Sequence, residues 1–261
     1  MLTSWLLVLA CSAPEGGKIR HAGTDTSAVD TSIDTSDTSD TSDTSDTSDT
    51  EPDEGPCPPE MALAGAACVD RWEAGLEWWS PYEVPEAGVA VSRAGTVPQG
   101  YISGDVAAEA CAAAGKRLCS VGEWMRACGG PEATTYPYGD TYDAEACNDT
   151  YDGGHPVVDY FGTSSGVWDT AHMNDAGINQ QPGTVAAAGA NTGCVTPEGI
   201  FDLHGNLHEW VEDLDGTFKG GFYADAEING AGCGYTTSAH TTDYHDYSTG
   251  FRCCKEPSPV E

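Results

Sequence analysis

Basic residues are scarce. The 261-residue chain has 10 Lys and Arg against 42 Asp and Glu, a formal charge of −32. Such a chain is repelled by phosphate backbones and anionic membrane surfaces, which argues against nucleic acid and leaves cations and basic partners. Long apolar runs are missing as well: the N-terminal stretch from Trp5 to Ala10 is too short to cross a bilayer as a helix. No two cysteines have the CxxC spacing that zinc sites use.

What is present begins with "MLTSWLLVLAC", a short apolar run ending on Cys11. This has the shape of a secretory segment stopping at a lipobox, with Cys11 as the lipidation site and first mature residue, although a basic n-region is absent. Ser12 after that cysteine fits an outer-membrane or cell-surface destination, with outer-membrane lipid as the partner of Cys11. Ten further cysteines lie between Cys57 and Cys254. An even set outside the cytosol reads as a disulfide framework, and an exported chain allows one to form.

Four segments follow from composition. Residues 1–11 are the signal segment. Residues 12–56 carry a near-perfect TSD repeat with almost nothing apolar, and are expected to be a disordered, self-repelling acidic tether. Residues 57–255 form the folded module, and 256–261 a short tail. In the module, "DVAAEACAAA" is expected to be a helix from Asp105 to Ala114, capped by Ser103 or Asp105. "CSVGEWMRACGG" is expected to be a second helix, with Ser120 and Glu123 forming a capping box. From Pro131 to Gly199 no period is visible, so either short strands are hidden there or bridges and bound cations hold the segment.

The motifs "CVDRWE", "AAGKRLCSVGEWMRACGG", "YPYGDTYDAEACN", "FDLHGNLHEWVED", "FKGGFYAD" and "GFRCC" occur in that order. Together they resemble the sulfatase-modifying-factor family of formylglycine-generating enzymes, over about Cys57 to Cys254. The resemblance implies an α/β, disulfide-rich fold with little regular secondary structure, related to C-type lectins. It also implies the bridges Cys111–Cys253 and Cys128–Cys233. For the rest the expected pairing is Cys57–Cys68, Cys147–Cys194 and Cys119–Cys254, a connectivity that spacing alone leaves open.

The family's enzymes oxidise a peptide cysteine with oxygen at a copper ion held by two thiolates. The matching positions here are Asp225 and Gly230 or its neighbours, so copper is not expected: thiolates select Cu(I), and Asp and Gly do not replace them. The resemblance further implies a structural calcium ion held by Asp202, the carbonyls of Gly205 and Leu207, and Glu209. These are oxygen donors on a glycine-bent backbone, as calcium requires. A second calcium site would begin at Asn148, with Asp149, Asp169, Asn174 or Asp175 as partners. His208 stands where family members have tryptophan.

The leading expectation is a surface-tethered binding or display module without copper chemistry, whose ligand is a protein, peptide or glycan met by Trp210, Tyr235, Tyr244 and Tyr247. The alternatives are an oxidoreductase of the formylglycine-generating type, or a metal-dependent enzyme built on Asp225, His208, His240 and His245.

Overall fold

The computed structural model describes residues 55–213 and 215–259. Cys11 and the TSD repeat lie outside the described residues. No described helix is long and apolar enough to cross a membrane.

The module opens with an antiparallel hairpin, β1 (Met61–Ala64) and β2 (Ala67–Asp70), whose base is tied by the Cys57–Cys68 bridge. A second small hairpin joins β3 (Ala74–Leu76) to β4 (Ala90–Ser92). Helix α1 (Gly104–Ala113) starts where the Ser103 hydroxyl accepts the Val106 N–H. Ala107, Ala110 and Cys111 turn inward, while Ala108, Ala112 and Ala113 face solvent. After β5 (Arg117–Leu118), helix α2 (Val121–Gly129) begins in a full capping box between Ser120 and Glu123. Each such cap is worth about 1 kcal/mol, because it satisfies N–H groups that the first turn leaves without partners.

The segment from Pro131 to Gly199 contains no named strand. It carries only the short helices α3 (Pro156–Phe161) and α4 (Thr170–Met173) and one 3₁₀ turn, Ile178–Gln180. What holds it is the Cys147–Cys194 bridge together with an aromatic and aliphatic cluster that includes Tyr101, Val157, Ile178, Tyr223 and Tyr247.

The last third supplies β6 (His208–Trp210), β7 (Phe218–Lys219), β8 (Thr236–Thr237), β9 (Thr249–Phe251) and β10 (Cys253–Lys255). These strands complete two four-stranded sheets, in the orders β1-β2-β10-β5 and β8-β7-β6-β9. The terminal "STGFRCC" supplies two strands. The chain leaves one sheet after Phe251 and enters the other at Cys253, with Arg252 as the single residue between. Cys111–Cys253 and Cys119–Cys254 then fasten β10 to α1 and to the residue after β5. Cys128–Cys233 closes α2 onto the later loops. All ten described cysteines are paired, which is the disulfide-rich, strand-poor architecture expected of the module. Past β10, Ser258 donates its N–H to the Pro56 carbonyl, and Glu256 meets Arg117 at 2.8 Å.

Two tryptophans centre the core. Trp124 and Trp210 are buried, and each places its indole N–H on an oxygen, Glu209 Oε2 at 2.7 Å and the Ile102 carbonyl at 2.9 Å. A ring of this size removes ~150–250 Å² from water, an upper value of about 4–6 kcal/mol. Removing either would therefore exceed what any cap contributes.

Candidate functional site

The turn from Asp202 to Glu209 bends because three of its residues adopt left-handed backbone: Asp202 (φ 60), Gly205 (φ 80) and Asn206 (φ 56). Gly205 is required for a second reason, since a Cβ there would collide with the Asn148 carbonyl. The bend aims Asn206 inward. Its side-chain oxygen accepts from Asn148 Nδ2 at 2.9 Å and the Ala186 N–H at 2.8 Å, while its amide donates to Glu73. Glu73 also accepts the Leu207 N–H at 3.0 Å.

Glu209 does not stand as a free oxygen ligand. Arg252 grips both of its oxygens, Nε to Oε2 and Nη2 to Oε1, each at 2.6 Å, and Trp124 takes a third contact. The same guanidinium donates to the carbonyls of Asp70 and Phe201 at 2.9 and 2.8 Å. Burial opposes the charge on Arg252, and Glu209 outweighs it, so the net effect is upward from the ordinary arginine value. Arg252 thus supplies, from between the two sheets, the cation that Glu209 was expected to find in calcium.

Asp202 carries its own hydrogen bond, accepting the Gly189 N–H at 2.6 Å. Burial, with a smaller contribution from Glu209, pushes its carboxyl up to about 6 against the pull of Gly189 and Arg252. Glu73 is raised well above the usual carboxylate range by burial and then by Asp202 and Glu209. Among the described residues no group of three or more His, Cys, Asp or Glu is disposed to hold a metal ion. Of the expected set of Asp202, Gly205, Leu207 and Glu209, Glu209 is paired with Arg252 in this arrangement and would have to release it to reach a calcium ion.

The residues named for the second site each have partners within the protein. The Asn148 amide is spent on Asn206 and the Thr184 carbonyl, and Asp149 pairs with buried His204 at 3.0 Å. Asp169 caps α4, Asp175 accepts the Gly177 N–H, and Asn174 contacts His245 at 2.8 Å.

The histidines do not converge on Asp225. His208 lies on β6 in a box of Phe218, Phe222 and Tyr235, with ring centroids at 4.6, 5.0 and 5.4 Å. Its Nδ1 is buried without a partner, and burial, helped by His240, lowers it to about 3. It is a neutral aromatic ring at physiological pH, not the ionisable group its departure from tryptophan indicated. His240 stacks on Tyr244 at 3.6 Å, and His245 belongs to Asn174. Trp210 and Tyr235 are likewise buried, and Tyr247, also buried, meets a cavity along one edge.

Asp225 is the expected residue that does reach a cavity. It lines a cleft of about 370 Å³ with Tyr151, His155, Phe222, Ile228 and Tyr247. Its Oδ1 accepts the N–H groups of Glu227 and Ile228, and its Oδ2 accepts the Tyr235 hydroxyl at 3.3 Å. Burial, then Asp225, pushes Tyr235 up to about 12, so Tyr235 stays a donor. Gly230 brings no donor side chain, and Cys233 is closed in its bridge to Cys128. The donors around Asp225 therefore do not fit a copper ion of the thiolate kind. Sequence reasoning missed Glu73, Arg252, Tyr151 and His155. Glu73 and Arg252 stood in quoted motifs, but nothing local marks them as partners of the turn.

A family model described as the sulfatase-modifying factor enzyme 1-like domain matches residues 44–257. Among solved structures, PvdO from Pseudomonas aeruginosa is 15% identical, covering 73% of this chain and 80% of that one with a TM-score of 0.47. The Major Tropism Determinant I1 variant is 12% identical over 78% of this chain and 54% of that one, with a TM-score of 0.48. Treponema denticola variable protein 1 is 17% identical over 54% of this chain and 48% of that one, with a TM-score of 0.36. The chain thus spans about half the length of the last two. No curated protein sequence matches it.

Proposed function

Since the chain belongs to the sulfatase-modifying factor family, we propose that it is a binding or display module of the bacterial cell envelope that does not generate formylglycine. The observation that carries this is Asp225. At the position where the family's enzymes have their first copper thiolate stands a carboxylate, held by Tyr235 and two backbone N–H groups at the wall of an aromatic cleft. A carboxylate among Tyr151, His155, Phe222 and Tyr247 is suited to a ligand that offers a hydrogen-bond donor or a positive charge beside an apolar surface. Five disulfides support an oxidising compartment, where such bridges form and persist. A lipid on Cys11 and the acidic repeat would give it an anchor and reach.

The test uses the full chain with Cu(I), oxygen and a cysteine peptide of the sulfatase type, read by mass spectrometry. No formylglycine product and no stoichiometric copper are expected; sustained turnover would overturn the reading. Anchoring is checked by incorporation of labelled fatty acid, which should disappear in Cys11→Ala.

A further inference from the structure

A second cavity, of about 520 Å³, lies beside β3 and β4 and shares no lining residue with the Asp225 cleft. Its size falls within the ~300–1,000 Å³ of small-ligand pockets. Three features of its wall are unusual together. Trp78 is 97% exposed and holds φ at 67, a left-handed conformation that is costly for a bulky side chain and has no packing to repay it. Trp79 and Tyr82 line the same cavity, so three large aromatics meet one solvent-open hollow. Gln99, 1% exposed, lines the same wall, and its Oε1 is buried without a partner.

The orphan is well defined. Gln99 Nε2 donates to the carbonyls of Ser80, Glu83 and Gly100 at 3.2, 3.0 and 2.9 Å. Those contacts pin the loop that carries the aromatics, and they orient the amide so that Oε1 faces no donor of the protein. A buried acceptor without a partner costs ~1–3 kcal/mol, and a ligand donor removes that penalty.

We propose that this cavity is a carbohydrate site, taking a neutral pyranose against the exposed tryptophans with one sugar hydroxyl donating to Gln99 Oε1. The apolar C–H face of a pyranose meets the negative face of an indole ring. Its hydroxyls both donate and accept, so one ring serves the Gln99 acceptor and the exposed Arg93 guanidinium on the same wall. A quaternary ammonium also suits aromatic walls beside Glu77, but it brings no N–H or O–H and leaves Gln99 unpaired. A peptide would pair Gln99 through one N–H while burying further backbone groups for which the wall has no spare buried acceptor.

The experiment titrates the full chain with cellohexaose, maltohexaose, chitohexaose and mannohexaose, read by tryptophan fluorescence and calorimetry. Choline and a proline-rich peptide form separate arms. At least one oligosaccharide is expected to bind with Kd below about 1 mM. Trp78→Ala should weaken it at least tenfold with an unchanged melting temperature, since the ring is outside the core. Gln99→Glu should also weaken it, and if that variant does not fold, Trp78→Ala decides alone. Binding of none of the four sugars, binding indifferent to Trp78→Ala, or binding of choline or the peptide only would each overturn the assignment.

Discussion

Replacing Glu209 by Gln tests whether Arg252 or calcium neutralises the buried turn. Glu209 and Arg252 are both fully buried and joined by two contacts of 2.6 Å. Breaking such a pair by removing one partner costs about 3–5 kcal/mol, because the other charge is left in a poorly polarisable interior. The loss should fall toward the upper part of that range, since Trp124 also donates to Glu209, although the Asp70 and Phe201 carbonyls still receive the guanidinium. Urea unfolding with disulfides intact measures it, as a lower midpoint at constant slope. The companion measurement compares calcium with chelator. A calcium site of Kd about 10 µM in about 5 mM calcium would add about 3.7 kcal/mol to the wild type. With Arg252 filling that role, no such shift is expected. A calcium-dependent stabilisation above about 1 kcal/mol that vanishes in Glu209→Gln would refute the reasoning, because it would require the ion at Glu209.

His208 makes a pH prediction. Its folded value of about 3 lies below the ordinary 6.5, so its stabilising contribution is complete above pH 6.5 and lost as pH falls toward 3. Between pH 7 and pH 5 the wild type should lose about 2 kcal/mol relative to His208→Phe, whose offset at pH 7 is irrelevant to the slope; parallel stability curves would contradict this. The two bridges of β10 should be strongly non-additive. Cys111–Cys253 and Cys119–Cys254 close nearly the same long loop, with separations of 142 and 135 residues. Removing one leaves the other in place and costs about 3 kcal/mol, the entropy of a loop of about ten residues, while removing both costs about 8. Equal increments in denaturant midpoint would argue against the shared-loop account. Gly205→Ala should destabilise by more than about 1 kcal/mol, because a Cβ would both strain φ 80 and strike the Asn148 carbonyl; a neutral melting temperature would count against the turn as drawn.

Parts of the fold were readable from short spans. The Ser103 cap and the Ser120–Glu123 box act over three residues, so the two early helices appear in the sequence with their starts. Ordered motifs identified the family and placed Asp225 where the copper chemistry would be. What Glu209 meets in the fold lies outside any local window: its partner Arg252 is 43 residues away, in the gap between strands of different sheets. His208 looked like new chemistry because a histidine had replaced a tryptophan. Its neighbours Phe218, Phe222 and Tyr235 turn it into a neutral filler of the same aromatic box.

From residue types alone follow the acidity, the even cysteine set, the capped helices and the carboxylate at position 225. Tertiary structure alone decided which buried carboxylate meets a cation, which histidine stays uncharged and which aromatics face solvent. The physical reason is range. Caps and turns are hydrogen bonds closed within a few residues, whereas desolvation and ion pairing depend on which distant groups come to share the same water-poor volume.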